Sequence, residues 1–287
     1  VNICLNHEAE EDRIALLEHL LSKVPSITTL LYTINPKWND SIYDLTPVVY
    51  IGKGYVEEKL GDLKFIISPK SFFQTNTKQA ERLYTVTKEF AGLTGNEVVY
   101  DLYCGTGSIG IFVSDKAKKV IGVEVIDEAI EDAKKNAALN HIHHAEFFAG
   151  DVIKICNDDF FTQHGKPDVV ITDPPRAGMH EDVVRMLLKV APDRIVYVSC
   201  NPATQARDLK WLSEFYRITA VQPVDMFPQT MHVENVVALE RIQDQTQKGS
   251  FHFVDNLERL IMHTGRIIND LLPKIYDTDR EEVITHE

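Results

Sequence analysis

The feature that most constrains this chain is a strict alternation that begins near residue 96 and ends at residue 200. The β-rich runs EVVYDLYC, KKVIGVEV, AEFFAGD, PDVVITDPP and DRIVYVSC are separated by a glycine-rich turn into a helix start and by helical stretches such as DEAIEDAKKNAALN and EDVVRMLLKVA. Short strands alternating with helices imply right-handed βαβ units and a parallel sheet. The alternation then stops. FYRITAVQPVDMF and VENVVALERI follow with no helix between them, so they are expected to pair as an antiparallel hairpin at one edge. The expected fold class is α/β: a mostly parallel sheet with a terminal antiparallel hairpin, preceded by a small α+β segment.

That smaller segment is read as residues 1–67. VNICLN, TTLLYTIN and PVVYIG have the look of strands, and LGDLKFIISP of a turn into another. In EAEEDRIALLEHLLSKV the apolar residues Ile14, Leu17, Leu20, Leu21 and Val24 fall at helical spacing behind an acidic first turn. The sheet-forming domain is read as 68–242, with KQAERLYTVTKEFAGL as an early helix. QDQTQKGS (243–250) is polar and reads as a linker. The C-terminal stretch to 287 carries a helix with one apolar stripe, read as a packing or interaction element without chemistry of its own.

Composition excludes several classes. With 44% hydrophobic and 25% charged residues the chain is globular in type, and no apolar run is long enough to span a bilayer. The first residues are acidic and lack the basic and apolar regions of a secretory signal. The cysteines Cys4, Cys104, Cys156 and Cys200 form no CxxC pair, which speaks against a disulfide framework or a metal knuckle and suits a reducing cytoplasm. No metal site and no obligate protein partner are evident. The formal net charge of −13 weighs against binding to nucleic-acid phosphates, although a local basic groove survives an acidic sum.

DLYCGTGSIG (101–110) follows a strand and opens a helix, and Gly105 and Gly107 permit a tight turn and close approach to a ligand. Nicotinamide enzymes use a related glycine loop, with an acidic residue about 20 positions downstream on the ribose hydroxyls. Glu124, at the end of the next strand, stands at roughly that spacing. Asp101 lies at the loop itself. A carboxylate there disfavours a pyrophosphate and suits the sulfonium and ammonium of S-adenosylmethionine. Asp151, after the third strand, either approaches the adenine or caps the helix ahead of VIKI. Gln74, in IISPKSFFQTN, either holds the amino-acid end of the cofactor or is an ordinary surface amide.

Ligands of open α/β sheets bind beyond the carboxyl ends of the strands. Asp101, Glu124, Asp173 and Cys200 all end their strands, so all are expected at that edge. In DPPRAG (173–178) two prolines stiffen the backbone, and Arg176 is a candidate for substrate phosphate or a base carbonyl. Cys200 ends its strand beside Ser199 and Asn201, ahead of a helix starting near Ala203 whose N-terminal dipole is expected to favour a thiolate. FPQTMHVENVVAL supplies Glu234 just before the last strand, where a carboxylate is costly unless paired or used. His232 beside it reads as a structural hydrogen-bonding group. A thiolate, a carboxylate and a methyl donor together suit one reaction. The thiolate adds to C6 of uracil, C5 becomes nucleophilic and takes a methyl group, and a base removes the C5 proton so that the thiol is eliminated.

The segments SPKSFFQTN, DLYCGTGSIG, GVE, DPPRAG, VSCNPAT and MFPQTMHVENV run in order across residues 68–241, and in this the chain resembles the S-adenosylmethionine-dependent RNA (uracil-5-)-methyltransferases. The resemblance implies a Rossmann-like class I methyltransferase fold. It implies cofactor contacts at Gln74, Tyr103, Ser108, Glu124, Asp151 and Asp173, a nucleophile at Cys200 and a base at Glu234. It implies an RNA substrate, ribosomal rather than transfer RNA, in the cytoplasm. The family's usual N-terminal RNA-binding barrel, and the iron–sulfur cysteine cluster that many members carry, have no counterpart here, so no cluster and weak or absent RNA binding are expected of this chain, with Val1 read as an internal start. The alternatives are a transfer-RNA uracil-5- or cytosine-5-methyltransferase, an amino-methyltransferase, which Arg176 in the Asp-Pro-Pro loop opposes, and a truncated cofactor-binding module without turnover.

Overall fold

The computed structural model describes residues 1–39, 42, 44–230 and 233–242. His232 and the expected linker and helix after 242 lie outside the described residues. The chain divides into two compact units: Val1–Tyr84 with Leu93–Gly165, and Thr85–Gly92 with the residues from Lys166 onward.

The first unit opens with β1 (Asn2–Leu5), α1 (Glu10–Lys23), β2 (Leu30–Ile34) and β3 (Val48–Ile51). β1 runs parallel to β2, and β3 antiparallel to it. β4 (Val56–Leu60) and β5 (Leu63–Ile67) form a two-stranded hairpin. After α2 (Thr77–Ala91), which straddles the division, come β6 (Val98–Leu102), α3 (Ser108–Val113), β7 (Lys119–Glu124), α4 (Asp127–Leu139) and β8 (Ala145–Ala149). Two short helices, α5 (Val152–Ile155) and α6 (Asp158–His164), close the unit. β6, β7 and β8 are parallel neighbours in that order, as the βαβ pattern requires.

α4 and β5 are joined by a side-chain ladder. Asn140 and Asn136 accept from the backbone N–H groups of Lys64 (2.9 Å) and Ile66 (2.6 Å), and each returns a bond to the same residue's carbonyl. Asp132 continues the row, accepting from the N–H and hydroxyl of Ser68 (2.9 and 2.8 Å) and the hydroxyl of Ser71 (2.8 Å). The geometry follows from two repeats: four helical residues rise about 6 Å, close to the advance of two strand residues, about 6.6 Å. The ladder fixes the start of the 68–76 loop.

The second unit holds β9 (Val169–Thr172), α7 (Glu181–Val190), β10 (Arg194–Ser199), α8 (Pro202–Leu212), β11 (Tyr216–Val224) and β12 (Glu234–Arg241). β10 is parallel to β9 and antiparallel to β12, which is antiparallel in turn to β11. Ile195–Val198, Val236 and Val237 are fully buried, and Leu239 nearly so. Each unit follows the expected plan: β6–β8 are parallel in the first, and in the second β9 and β10 are parallel and followed by the expected antiparallel hairpin of β11 and β12. Among the described residues no helix is long and apolar enough to cross a membrane.

Candidate active site

The residues singled out from the sequence fall into two groups, one in each unit. In the first, the glycine loop leaves β6 and enters α3. Gly107 is the residue before α3 and has a left-handed backbone (φ 73°); a Cβ there would lie 2.7 Å from the Phe147 ring. Gly105 is left-handed as well (φ 52°). Tyr103 adopts φ 62°, a conformation a bulky residue takes only when its surroundings impose it, and such strain gathers at functional sites.

Asp101 lies beneath this loop rather than at its surface. It is fully buried, its Oδ2 accepts from Gly110 N–H (2.8 Å), and its Oδ1 has no partner among the described residues. Burial raises its carboxyl to about 7; the Gly110 N–H opposes this, and the nearby Glu124 charge adds to it. Glu124 ends β7 and bridges two segments, accepting from Gly105 N–H (3.2 Å) and Ile126 N–H (3.1 Å). The Glu124 carboxylate at the glycine loop, with the partly ionised Asp101 beneath it, fits a cationic ligand and opposes a pyrophosphate. Ser108 is buried, with its hydroxyl 2.9 Å from that of Tyr84. Gln74, which on physical grounds alone reads as a surface amide, is 6% exposed, on the loop that the α4 ladder anchors. Asp151 is exposed and caps α5, accepting from Ile153 N–H (2.9 Å).

The second group surrounds Cys200. The β10–β12 register pairs Ser199 with Asn235, and one further step sets Cys200 against Glu234. Cross-strand partners project to the same face. Glu234 is largely buried, its Oε2 has no partner among the described residues, and burial raises its carboxyl to about 7, opposed by the Arg176 charge. The Cys200 thiol is half-buried and pushed above its ordinary value, first by burial and then by the charges of Glu234 and Asp173, against the opposing pull of Arg176. This corrects the expectation of a thiolate favoured by the helix dipole. α8 does begin just after Cys200, with Asn201 capping it and Pro202 in its first turn, yet burial and the Glu234 and Asp173 charges keep the thiol above its ordinary value. Arg176 is the cation acting on the sulfur.

The DPPRAG loop is tied to the α8 start. The Arg176 carbonyl accepts from Asn201 Nδ2 (2.9 Å) and Thr204 Oγ1 (3.1 Å). Arg207 donates to the carbonyls of Ala177 and Met179, and the buried Asp208 accepts from Met179 N–H (2.8 Å) and Tyr197 OH (2.7 Å). Asp208 and Arg207 escape a sequence reading that looks only at strand ends; the Arg-Asp pair one helical turn after Ser-Cys-Asn-Pro was the available signal. Phe72 is 69% exposed on the loop that carries Gln74. The other thiols differ from Cys200: Cys104 is buried and pushed far up by burial, Cys156 is buried and pushed up to about 12, and Cys4 is exposed. Among the described residues no cluster of three His, Cys, Asp or Glu is arranged to hold a metal ion.

Fold and residues together define a class I methyltransferase-type α/β protein. A family model described as tRNA (Uracil-5-)-methyltransferase matches residues 48–242, and the chain belongs to that family. A second model, described as Phage P22-like portal protein, matches 235–287, a span that overlaps β12 and otherwise lies outside the described residues. An uncharacterized RNA methyltransferase of Bacteroides thetaiotaomicron is 57% identical over 235 residues, covering 82% of this chain and 52% of its own length. One of Porphyromonas gingivalis is 58% identical over 231 residues, 80% of this chain and 50% of its own. The chain thus spans about half the length of these relatives. Among solved structures, the Pyrococcus abyssi tRNA (uracil-54, C5)-methyltransferase in complex with S-adenosyl-L-homocysteine aligns with a TM-score of 0.63 at 36% identity, over 74% of this chain and 51% of that one. The M. jannaschii tRNA m1G37 methyltransferase aligns at 0.55 and 16% identity, over 83% and 70%, a likeness of fold alone.

Proposed function

We propose that this chain carries the methyl-transfer half of an RNA C5-methyluridine methyltransferase that uses S-adenosylmethionine. The observation that carries the reading is the register that sets a half-buried thiol, Cys200, opposite a half-buried carboxylate, Glu234, one oxygen of which has no partner among the described residues. S-adenosylmethionine, when bound, supplies an electrophilic methyl group on a sulfonium. Its binding is assigned to Gln74, Asp101, Tyr103, Gly105, Gly107, Ser108, Glu124 and Asp151, with Asp173 also assigned to it. The Glu124 carboxylate at the loop, backed by the partly ionised Asp101, favours that cationic donor over a dinucleotide.

Cys200 loses its proton to solvent, helped by the Arg176 charge, and its sulfur adds to C6 of the uracil ring. The ring's electrons move to C5 and O4, and C5 becomes the carbon that is methylated. Glu234, ionised, then takes the C5 proton as the C6–S bond breaks. The thiolate is regenerated and the ring recovers its double bond. Arg176 serves a second purpose as a partner for the anionic ring or a phosphate. The pyrimidine belongs to RNA. Ribosomal RNA was the expectation from the sequence; the family description and the P. abyssi structure both concern transfer RNA, which favours that substrate as the second reading.

The test is trapping with 5-fluorouridine-substituted ribosomal and transfer RNA in the presence of S-adenosylmethionine. Fluorine at C5 cannot leave as a proton, so a covalent RNA adduct mapped to Cys200 is the expected result. Adduct formation at another residue, or with 5-fluorocytidine only, overturns the reading.

A further inference from the structure

Behind the Cys200–Glu234 rung lies a polar pair that the reaction does not use. Gln205, in the first turns of α8, is fully buried, and Asn235, the residue after Glu234, is 5% exposed. The Gln205 Nε2 donates to the carbonyls of Tyr197 (2.9 Å) and Asn235 (3.1 Å). Its Oε1 accepts from Asn235 Nδ2 at 2.7 Å. Both amide donors and the carbonyl oxygen of one side chain are therefore committed, to β10 and to the first residues of β12.

The placement is selective. Gln205 sits on the helix that begins immediately after Cys200, and its own N–H bonds to the Asn201 carbonyl (3.1 Å). Asn235 sits between Glu234 and the buried run Val236–Leu239. The β11 residue opposite Asn235 is Pro223, which has no N–H to offer. The start of β12 is thus fastened from the α8 side. A Leu or Met would fill the volume of Gln205 without any hydrogen-bond bookkeeping, and buried amides are kept only when every group is matched, which fixes their orientation.

We propose that Gln205 and Asn235 are positioning residues: an amide clamp that ties the start of α8 to the start of β12 and so sets Glu234 against Cys200. The inference rests on the reading of Cys200 and Glu234 as the reacting pair. Neither clamp residue touches substrate; both act through the two that do.

The clamp is tested by the pH dependence of Cys200 alkylation by iodoacetamide, followed on its own peptide by mass spectrometry in the full chain. Because the Glu234 charge holds the thiol form, Glu234→Gln is expected to move the midpoint to lower pH. The double variant Gln205→Leu/Asn235→Leu removes both amides together, leaving no side-chain amide unmatched, and is expected to move the midpoint in the same direction. In a Glu234→Gln background the same pair of changes is expected to add nothing, a non-additivity that a merely structural role does not produce. Should the double variant fail to fold, Gln205→Met alone serves, and the exchange Gln205→Asn/Asn235→Gln is expected to restore the original profile. A folded clamp variant with an unchanged midpoint overturns the clamp. If Glu234→Gln itself leaves the midpoint unmoved, the pairing of Cys200 with Glu234 fails instead.

Discussion

Glu234 faces Cys200 across the step that follows the last paired rung of the β10–β12 ladder, and its charge is among those that keep the sulfur protonated. The protein thus holds its proposed nucleophile in the thiol form, with the Arg176 charge opposing. Cys200→Ala is expected to lower methyl transfer by on the order of 10⁴-fold or more and to abolish the 5-fluorouridine adduct. The thermal midpoint is expected to change little, because the thiol is half-buried and one atom is lost. Single-turnover assay and differential scanning calorimetry check the two halves.

Glu234 gives a pH dependence whose sign can be worked out. Its folded carboxyl titrates at about 7, above the ordinary glutamate value of 4.5. Methyl transfer that needs the carboxylate as base is expected to rise with pH through about 7. Stability runs the other way. The protonated form is favoured in the folded state, so this contribution is complete below pH 4.5 and is lost as the pH rises through 7. Glu234→Gln is expected to remove that dependence, gaining on the order of 1–3 kcal/mol relative to the parent between pH 4 and pH 8, while losing turnover. Urea titrations at the two pH values read it. Asp101, also at about 7, contributes in the same direction, and Asp101→Asn is expected to behave alike in stability.

The strand ends were legible because periodicity alone places them. Glu124 closes β7, Asp173 and Cys200 follow directly on β9 and β10, and Asp101 lies one residue inside the end of β6. β4 was not legible: VEEKL has four exposed positions of five, so a hairpin strand facing solvent shows no apolar alternation. The state of Cys200 was hidden for a different reason. Its titration depends on Glu234, far away in sequence and brought opposite only by register. Gln74 reads as polar surface in isolation because its burial is a property of the loop that α4 anchors. The signal was in the sequence: Asp132, Asn136 and Asn140 repeat every four residues along one helix face. The left-handed Tyr103 has no sequence signature, since only glycine and asparagine announce that conformation.

A change at Gly107 is expected to separate cofactor binding from the proposed chemistry at Cys200. Gly107→Ala would put a methyl group into the Phe147 ring at a left-handed backbone position. A cost of about 1–3 kcal/mol is expected from the conformation alone, and more from the contact. Calorimetric titration with S-adenosylhomocysteine is expected to show binding weakened at least about tenfold, since relaxing the clash moves the loop by a fraction of an ångström. Iodoacetamide reactivity at Cys200, which belongs to the other unit, is expected to stay as in the parent.

Phe72 offers the complementary separation. A phenylalanine 69% exposed contributes little to folding, so Phe72→Ala is expected to change stability by no more than about 0.5 kcal/mol. Were the exposed ring on the Gln74 loop to stack on an unpaired base of the proposed RNA substrate, that contact would be worth about 1–3 kcal/mol. The KM for RNA is therefore expected to rise roughly tenfold or more, with S-adenosylhomocysteine affinity unchanged. Phe72→Trp is expected to retain the parent KM, and Phe72→Leu, of similar hydrophobicity without a π face, to resemble the alanine variant. A steady-state series over RNA concentration reads all three, and equal KM values across the series would remove Phe72 from the RNA-binding surface.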